Sequence, residues 1–398
     1  MTREDGGKRQ AFKFIVLLGV VSLFADFTYE GARSISGPFL ALLGASGLIV
    51  GLVSGFGEFL GYGLRLVSGY WADRTRRYWL LTAFGYGINL LAVPALALAG
   101  RWETAAGLLI LERMGKGLRT PARDAMLSFA TSKTGRGWGF AIHEALDQVG
   151  ALAGPLLAAA ALYLGGNYRV GFGILLVPAL LALGTLTWAR QTFPAPHLLE
   201  QAPEVRGEPR KPRLPRVFWL YVAFTAVTVG GFANYQIVSY HFKLQGVVSD
   251  VQIPVLYAVA MGVDAVVALL AGRFYDRAGL GTLIAVPLLV LPLPWLIFGN
   301  GYLPALAGMV LWGAVMGIQE TTMRAAVADM VGPGGRAFAY GIFNTAYGGA
   351  WMLGSVILGY LYDIRLAYVT LFIVALEVLA LPLFWLVWRR AKTENPAA

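Results

Sequence analysis

Between Phe14 and Trp388 the chain is a succession of long apolar runs, each of roughly 20 residues, separated by short polar breaks. A run of that length is what an α-helix needs to cross the hydrocarbon core of a bilayer. Inside lipid every backbone N–H and C=O must find its partner within the segment, so successive runs of this kind leave little choice but a bundle of helices. The runs fall at about 13–34, 46–70, 78–99, 104–128, 136–163, 168–190, 217–242, 252–272, 280–299, 302–328, 337–362 and 366–388, twelve spans in all. Composition agrees. Only 14% of the residues are charged, where a soluble domain carries about 25%. The 50 glycines suit helices that approach closely in a membrane.

The net charge of +10 could suggest a nucleic-acid partner, but its placement argues against one. With the N-terminus on the cytoplasmic side, 23 Lys and Arg fall in the cytoplasmic tails and loops and the span ends that adjoin them, against only Arg101, Arg169, Lys243 and Arg365 on the outer side. This asymmetry puts both termini in the cytoplasm by the positive-inside rule. The expected location is a cell inner membrane, crossed many times. The first apolar run is long and has no convincing cleavage site, so it reads as a retained span. The absence of cysteine excludes disulfides, thiolate metal sites and thiol catalysis.

A short phrase occurs twice. Gly69-Tyr-Trp-Ala-Asp73-Arg74 returns 203 residues later as Gly272-Arg-Phe-Tyr-Asp276-Arg277. At an offset of 200, Gly117, Arg136, Ile142 and Gly154 meet Gly317, Arg336, Ile342 and Gly354. Such spacing is the mark of two related halves, which in transporters move against each other. Between them, 191–216 is rich in proline (Pro194, Pro196, Pro203, Pro209, Pro212, Pro215) and in basic residues. Proline and charge make it a poor span, so it reads as a cytoplasmic linker. The expected organisation is a tail at 1–12, a six-helix bundle at 13–190, the linker at 191–216, a second six-helix bundle at 217–389 and a tail at 390–398.

Twelve spans, the six-plus-six division and the repeated loop phrase resemble the major facilitator superfamily of secondary transporters. Gly69, Asp73, Arg74 and Arg77 match the family's signature between spans 2 and 3, with Arg76 where the family has a second glycine. Gly272, Asp276, Arg277 and Gly279 match it again in the second half. The resemblance implies an all-α membrane fold of two pseudo-symmetric six-helix bundles, working by alternating access. It also implies a pair of cytoplasmic gate latches. Asp73 would face the helix start near Gly335-Arg336, with Arg119 or Arg123 as partner. Asp276 would face the start near Gly135-Arg136, with Arg324 as partner. A carboxylate at a helix N-terminus is favourable by about 0.3–1 kcal/mol.

Charge within the spans is the best guide to mechanism, because it is costly there. Span 1 carries Asp26, Glu30 and Arg33 on one face, since residues three and four apart are neighbours on a helix. Span 2 carries Glu58 and Arg65, span 4 carries Glu112, Arg113 and Lys116, and span 5 carries His143, Glu144 and Asp147. The second half is poorer, with Asp264, Glu320 and Arg324, and neutral Asn234, Tyr235, Gln236, Asn344 and Tyr347 in the corresponding places. The charges could simply lock the first bundle together. Alternatively, Asp26, Glu30, Glu58 or Glu144 exchanges a proton during transport, with Arg113 as the switching cation and Asp147 beside them. Leu109-x-x-x-Arg113-x-x-x-Gly117 resembles the span-4 motif of proton-coupled members. Gly150-x-x-x-Gly154-Pro155 resembles, incompletely, the span-5 motif of drug–proton antiporters. Plain close packing of span 5 against span 8 would also explain it.

The expectation is therefore a proton-coupled exporter of a small amphipathic organic molecule. Tyr235, Gln236, Tyr257, Asn344, Tyr347 and Trp351 would line its cavity. An uptake symporter for a metabolite or anion, using Arg33, Arg113 and Lys116, is the alternative, and a non-transporting receptor a remote one. No nucleotide loop or nucleophile–base pair points to an enzyme. No cofactor or metal is expected: the methionines at 309, 316, 323 and 330 read as packing. The implied partners are substrate, protons and lipid, with the chain a monomer.

Overall fold

The computed structural model of the chain describes residues 3–134, 136–199, 214–331 and 336–394. Among the described residues there are helices and no strands. The first half runs through α1 (Arg3–Leu42), α2 (Gly47–Thr75), α3 (Tyr78–Ala95), α4 (Trp102–Thr134), α5 (Arg136–Tyr163), α6 (Tyr168–Ile174) and α7 (Leu176–Thr192). The second runs through α8 (Arg216–Gly231), α9 (Tyr235–Leu244), α10 (Gln252–Ala278), α11 (Ala285–Val290), α12 (Leu293–Ile297), α13 (Tyr302–Met330), α14 (Arg336–Ile364) and α15 (Leu366–Glu394).

Nine segments of the described residues are long and apolar enough to cross a membrane. One of them, 252–297, has the length for two passes at 46 residues, and α4 and α14 are long helices outside the nine. Together they make the twelve crossings of an all-α membrane protein.

Three spans that the apolar pattern gives as single helices are broken. The sixth is interrupted between α6 and α7. The seventh breaks after Gly231, and α9 restarts with the Asn234 side chain accepting from the Ile237 N–H at 3.0 Å. Asn234 thus caps the restarted helix. The ninth is a 3-10 turn, Gly279–Ile284, followed by the short α11 and α12. Pro287, Pro292 and Pro294 each remove a backbone donor there.

The chain divides into two compact units, 1–36 with 60–206 and 37–59 with 207–398. The end of α1 and the start of α2 therefore cluster with the second unit. In the first unit the opening of the linker is ordered. The Trp79 indole donates to the Phe193 carbonyl at 3.0 Å, and Leu199 is buried. The rest of the linker, 200–213, with Arg206, Arg210, Lys211 and Arg213, lies outside the described residues, as do Gly135, Gly335 and the Arg136 side chain.

The repeat is visible in the backbone. Arg76 has φ 56°, the one non-glycine with positive φ among the described residues, and Gly279, seven residues past Gly272 as Arg76 is past Gly69, has φ 54°. Arg76 thus occupies a left-handed position that glycine adopts without a steric penalty. The motif glycines themselves are roomier than expected. A Cβ at Gly69 would meet Pro121 at 3.5 Å, and one at Gly272 would meet Thr321 at 3.6 Å, both ordinary contacts. The close approaches lie elsewhere. Gly117 sits on the Gly61 backbone, and Gly317 on the backbone of Asp264 and Ala268. Gly150 and Gly154 pack on the backbone of α1 at Leu23 and Phe27. Gly354 packs in the same manner on Gly230 of α8.

Candidate functional site

In the first unit, α1, α3, α4 and α5 share a polar seam. Its centre is Tyr29 of α1, buried and hydrogen-bonded through its hydroxyl to Asp26. The Lys116 ammonium stands 3.9 Å from the centre of the Tyr29 ring. The Arg119 guanidinium lies 4.1 Å from the Tyr86 ring and 5.8 Å from that of Tyr29. Cations over aromatic faces are attracted by the ring quadrupole, more strongly when desolvated. Asp26 is buried, and its Oδ1 has no hydrogen-bond partner.

The charge pairs follow the helical spacing only in part. Glu30 pairs with Arg33 one turn on, at 3.3 Å. Arg113 reaches its own neighbour Glu112 at 3.2 Å. The Asn89 amide donates to Glu112 Oε1 at 2.7 Å and to its carbonyl at 3.0 Å, which fixes the acid against α3. Arg119 is 1% exposed, so in this conformation it belongs to the interior and not to a solvent-facing gate. Arg123 bonds Asp124 at 2.8 Å and the Ser22 hydroxyl at 2.9 Å, so its carboxylate is not Asp73. His143 approaches Asp147 at 3.5 Å, and Glu144 points outward, exposed. Glu58 is half-buried in α2. Asp73, Arg77, Asp276, Arg277 and Arg324 are exposed, and Arg74 donates to Tyr70 at 2.8 Å. Pro155 sits inside α5. Among the described residues no group of three His, Asp or Glu is placed to hold a metal.

The second unit answers the charged seam with rings. Tyr221, Phe343, Tyr347, Trp351, Phe232 and Trp312 form an unbroken chain of contacts, with centroids 5.5 to 6.1 Å apart. Tyr235 and Tyr257, expected to touch substrate, are buried with ring centroids 4.1 Å apart, and the Tyr235 hydroxyl donates to the Ile253 carbonyl. In this conformation both belong to the interior, with Trp312 at the edge of the pair. Gln236, Asn344, Tyr347 and Trp351 are only half-buried. The Ser54 hydroxyl donates to Gln236 at 3.1 Å.

Two features of this unit escape a reading by motif. Asp363, at the C-terminal end of α14, accepts from the backbone N–H groups of Gly47 and Leu48 at 2.7 and 2.8 Å. It caps the start of α2 from another helix. The physics is that expected of Asp73, a carboxylate on an N-terminus, found at the opposite end of α2. The small faces of the two helices then meet, with Gly51 on Ser355 and Gly47 on Gly359. Asp363→Ala removes two charge-assisted bonds, and about 1–2 kcal/mol corresponds to a 5- to 30-fold change in an equilibrium. The chain has no cysteine, so a lone Ser355→Cys can report on this contact. Its labelling by a maleimide is expected to quicken 5- to 30-fold when Asp363 is alanine; an unchanged rate would make the cap incidental. The second feature is Glu377, a buried carboxylate in α15. It is the sole charge between Leu366 and Trp388, and that isolation is the signal that marks it in the sequence.

The sequence profile of the Major Facilitator Superfamily matches residues 18–355. The chain belongs to this superfamily. It is a membrane transporter and not an enzyme. Among its relatives, an uncharacterized protein of Mycobacterium tuberculosis is 47% identical over 375 residues, covering 93% of this chain and 92% of that one. An uncharacterized MFS-type transporter of Methanocaldococcus jannaschii is 27% identical over 376 residues, covering 92% of each. Among solved structures, the nucleoside transporter NupG superposes with a TM-score of 0.76 at 11% identity, over 94% of this chain and 99% of that one. A bacterial homolog of the human lysosomal transporter Spinster, inward-facing and unoccupied, gives 0.73 at 14% identity over 98% of both chains. At such identities these structures share the fold with this superfamily member.

Proposed function

We propose that this transporter is a proton-coupled exporter of a small amphipathic organic molecule, working as a monomer in the cell inner membrane with both termini cytoplasmic. The six-helix bundles are 13–190 and 217–389, joined through 191–216, with tails at 1–12 and 390–398. The observation that carries the reading is Asp26. It is a buried carboxylate with one oxygen unpartnered, bonded to Tyr29, beside Lys116 and Arg119. Burial favours the neutral acid and nearby cations favour the carboxylate. A rearrangement that moves either cation shifts that balance and takes up or releases a proton. Glu30, Arg33, Arg113 and Asp147 stand near this centre, with Glu144 exposed on α5 and Glu58 on α2, and the half-buried aromatic residues of the second unit supply the amphipathic surface.

Asp73 with Arg74, Arg77, Arg119 and Arg123, and Asp276 with Arg277 and Arg324, close the cytoplasmic side when the outer side opens. Asp363 on α2 is the outer counterpart.

The test is proton movement. Everted vesicles containing the protein, loaded with a pH-sensitive dye and supplied with amphipathic cations one by one, are expected to release protons when the right compound is added. Proton uptake with the compound would instead mean symport. The half-exposed cations Arg33 and Lys116 suit that second reading, with an anionic metabolite as substrate. A flux indifferent to pH in both directions rejects proton coupling.

A further inference from the structure

Glu377 lies in α15 where that helix packs against α8, and its side chain is 0% exposed. The Thr228 hydroxyl of α8 and Glu377 Oε2 are 2.6 Å apart. Oε1 has no partner. It faces Gly231, the last residue of α8 before the break, where a Cβ would stand 2.7 Å from it. The elements packed on α15 are α8, α14, α11, α12 and the 279–284 turn. Their charged groups are Arg216, Arg336 and Asp363, each at a helix end, and their other titratable groups are Tyr221, Tyr340, Tyr347, Tyr360 and Tyr362. The other charges of α15 itself, Arg389, Arg390, Lys392 and Glu394, gather at its C-terminal end. Among the described residues no cation pairs with Glu377.

An ionised carboxylate in this place would meet two penalties. It would be an uncompensated charge in a dry apolar site. It would also face the C-terminal end of α8, whose unpaired carbonyls carry partial negative charge. A proton removes both, and the short contact to Thr228 suits an O–H···O bond. A hard metal cation would need more oxygens than this site offers, since such ions take six or more.

We propose that Glu377 and Thr228 form a proton-binding site inside the second unit, with Glu377 resident as the neutral acid and donating to the threonine oxygen. Movement of α15 away from α8 admits water, the O–H bond breaks, the proton passes to that water and the carboxylate remains. The site is separate from the Asp26 seam and does not depend on it. It gives the charge-poor half of the chain its own protonation step beside the helix break at 231–234.

The test uses the purified full-length protein between pH 6 and pH 9. Infrared difference spectra after exchange into D2O are expected to show a protonated carboxyl C=O band that Glu377→Gln abolishes and Thr228→Val shifts. Asp26→Asn leaves it in place, which separates this site from the proposed coupling centre. The folded chain then holds one proton more than the unfolded chain at neutral pH, so the thermal midpoint falls as pH rises. Glu377→Gln removes that fall. Should the glutamine variant not fold, Glu377→Asp serves, and a displaced band carries the same meaning. A carboxyl spectrum unchanged by every Glu377 variant overturns the proposal. So does a wild-type midpoint raised by sodium chloride over choline chloride, with the difference lost in Glu377→Gln, because the ligand is then sodium.

Discussion

Alanine at Gly117 or Gly317 is expected to destabilise the protein by about 1–3 kcal/mol each, the usual cost of overpacking, whereas alanine at Gly69 or Gly272 is expected to be harmless. The ranking opposes the one the repeated loop phrase suggests, and its cause is the identity of the atom each new methyl meets. A Cβ at Gly117 stands 2.5 Å from the Gly61 carbonyl oxygen, and one at Gly317 stands 2.6 Å from that of Asp264. Those atoms belong to helix backbones and cannot swing aside as a side chain can. Relief requires α4 to part from α2, or α13 from α10, along a whole face of small residues. At Gly69 and Gly272 the new methyl finds van der Waals contact at 3.5 and 3.6 Å, and alanine favours the helix by about 0.8–1 kcal/mol over glycine. Thermal unfolding in detergent, followed by the monomer peak on size exclusion, gives the comparison. Equal losses at Gly69 and Gly117 would refute the packing argument.

Asp26→Asn is expected to abolish proton-driven exchange while preserving folding and substrate binding. Asparagine keeps the shape of the side chain and can still accept from Tyr29, but it cannot bind or release a proton. Coupling free energies between sites are typically 1–3 kcal/mol, so proton-driven accumulation should fall by up to about 150-fold. Exchange without a pH gradient should persist. Tyr29→Phe separates the parts further. It keeps the ring beneath the Lys116 ammonium and removes the hydroxyl bonded to Asp26, so exchange should survive with an altered pH profile. A full proton-driven gradient in Asp26→Asn would move the coupling site to another carboxylate, with Glu30 and Asp147 next in line.

Much of this site was legible from residue spacing. Asp26, Glu30 and Arg33 fall on one face of α1 because the helical period puts them there, and Glu30 does meet Arg33. Spacing is silent where two helices have to be brought together. Arg113 has several carboxylates within reach of the sequence pattern, and the adjacent Glu112, which Asn89 of α3 holds in place, is one that it meets. Arg119 resembles a gate cation at the end of a span. It is interior because Tyr86 of α3 and Tyr29 of α1 offer it two aromatic faces. Tyr235 resembles a cavity residue by its polarity and is buried here against the tilted ring of Tyr257.

The sequence by itself determined the twelve crossings, their division into related halves and the likeness to a family of transporters. These rest on local physics: the length of an apolar run, the price of an unpaired peptide group in lipid, and a spacing that repeats. Tertiary structure alone decided which charge meets which, where a glycine is indispensable, and which ends of the helices are capped by their neighbours. Asp363 on α2 and Glu377 on α8 show why. Each is an ordinary acid in its own helix, and its meaning comes from a backbone or a hydroxyl supplied by residues 149 to 316 positions away in the chain.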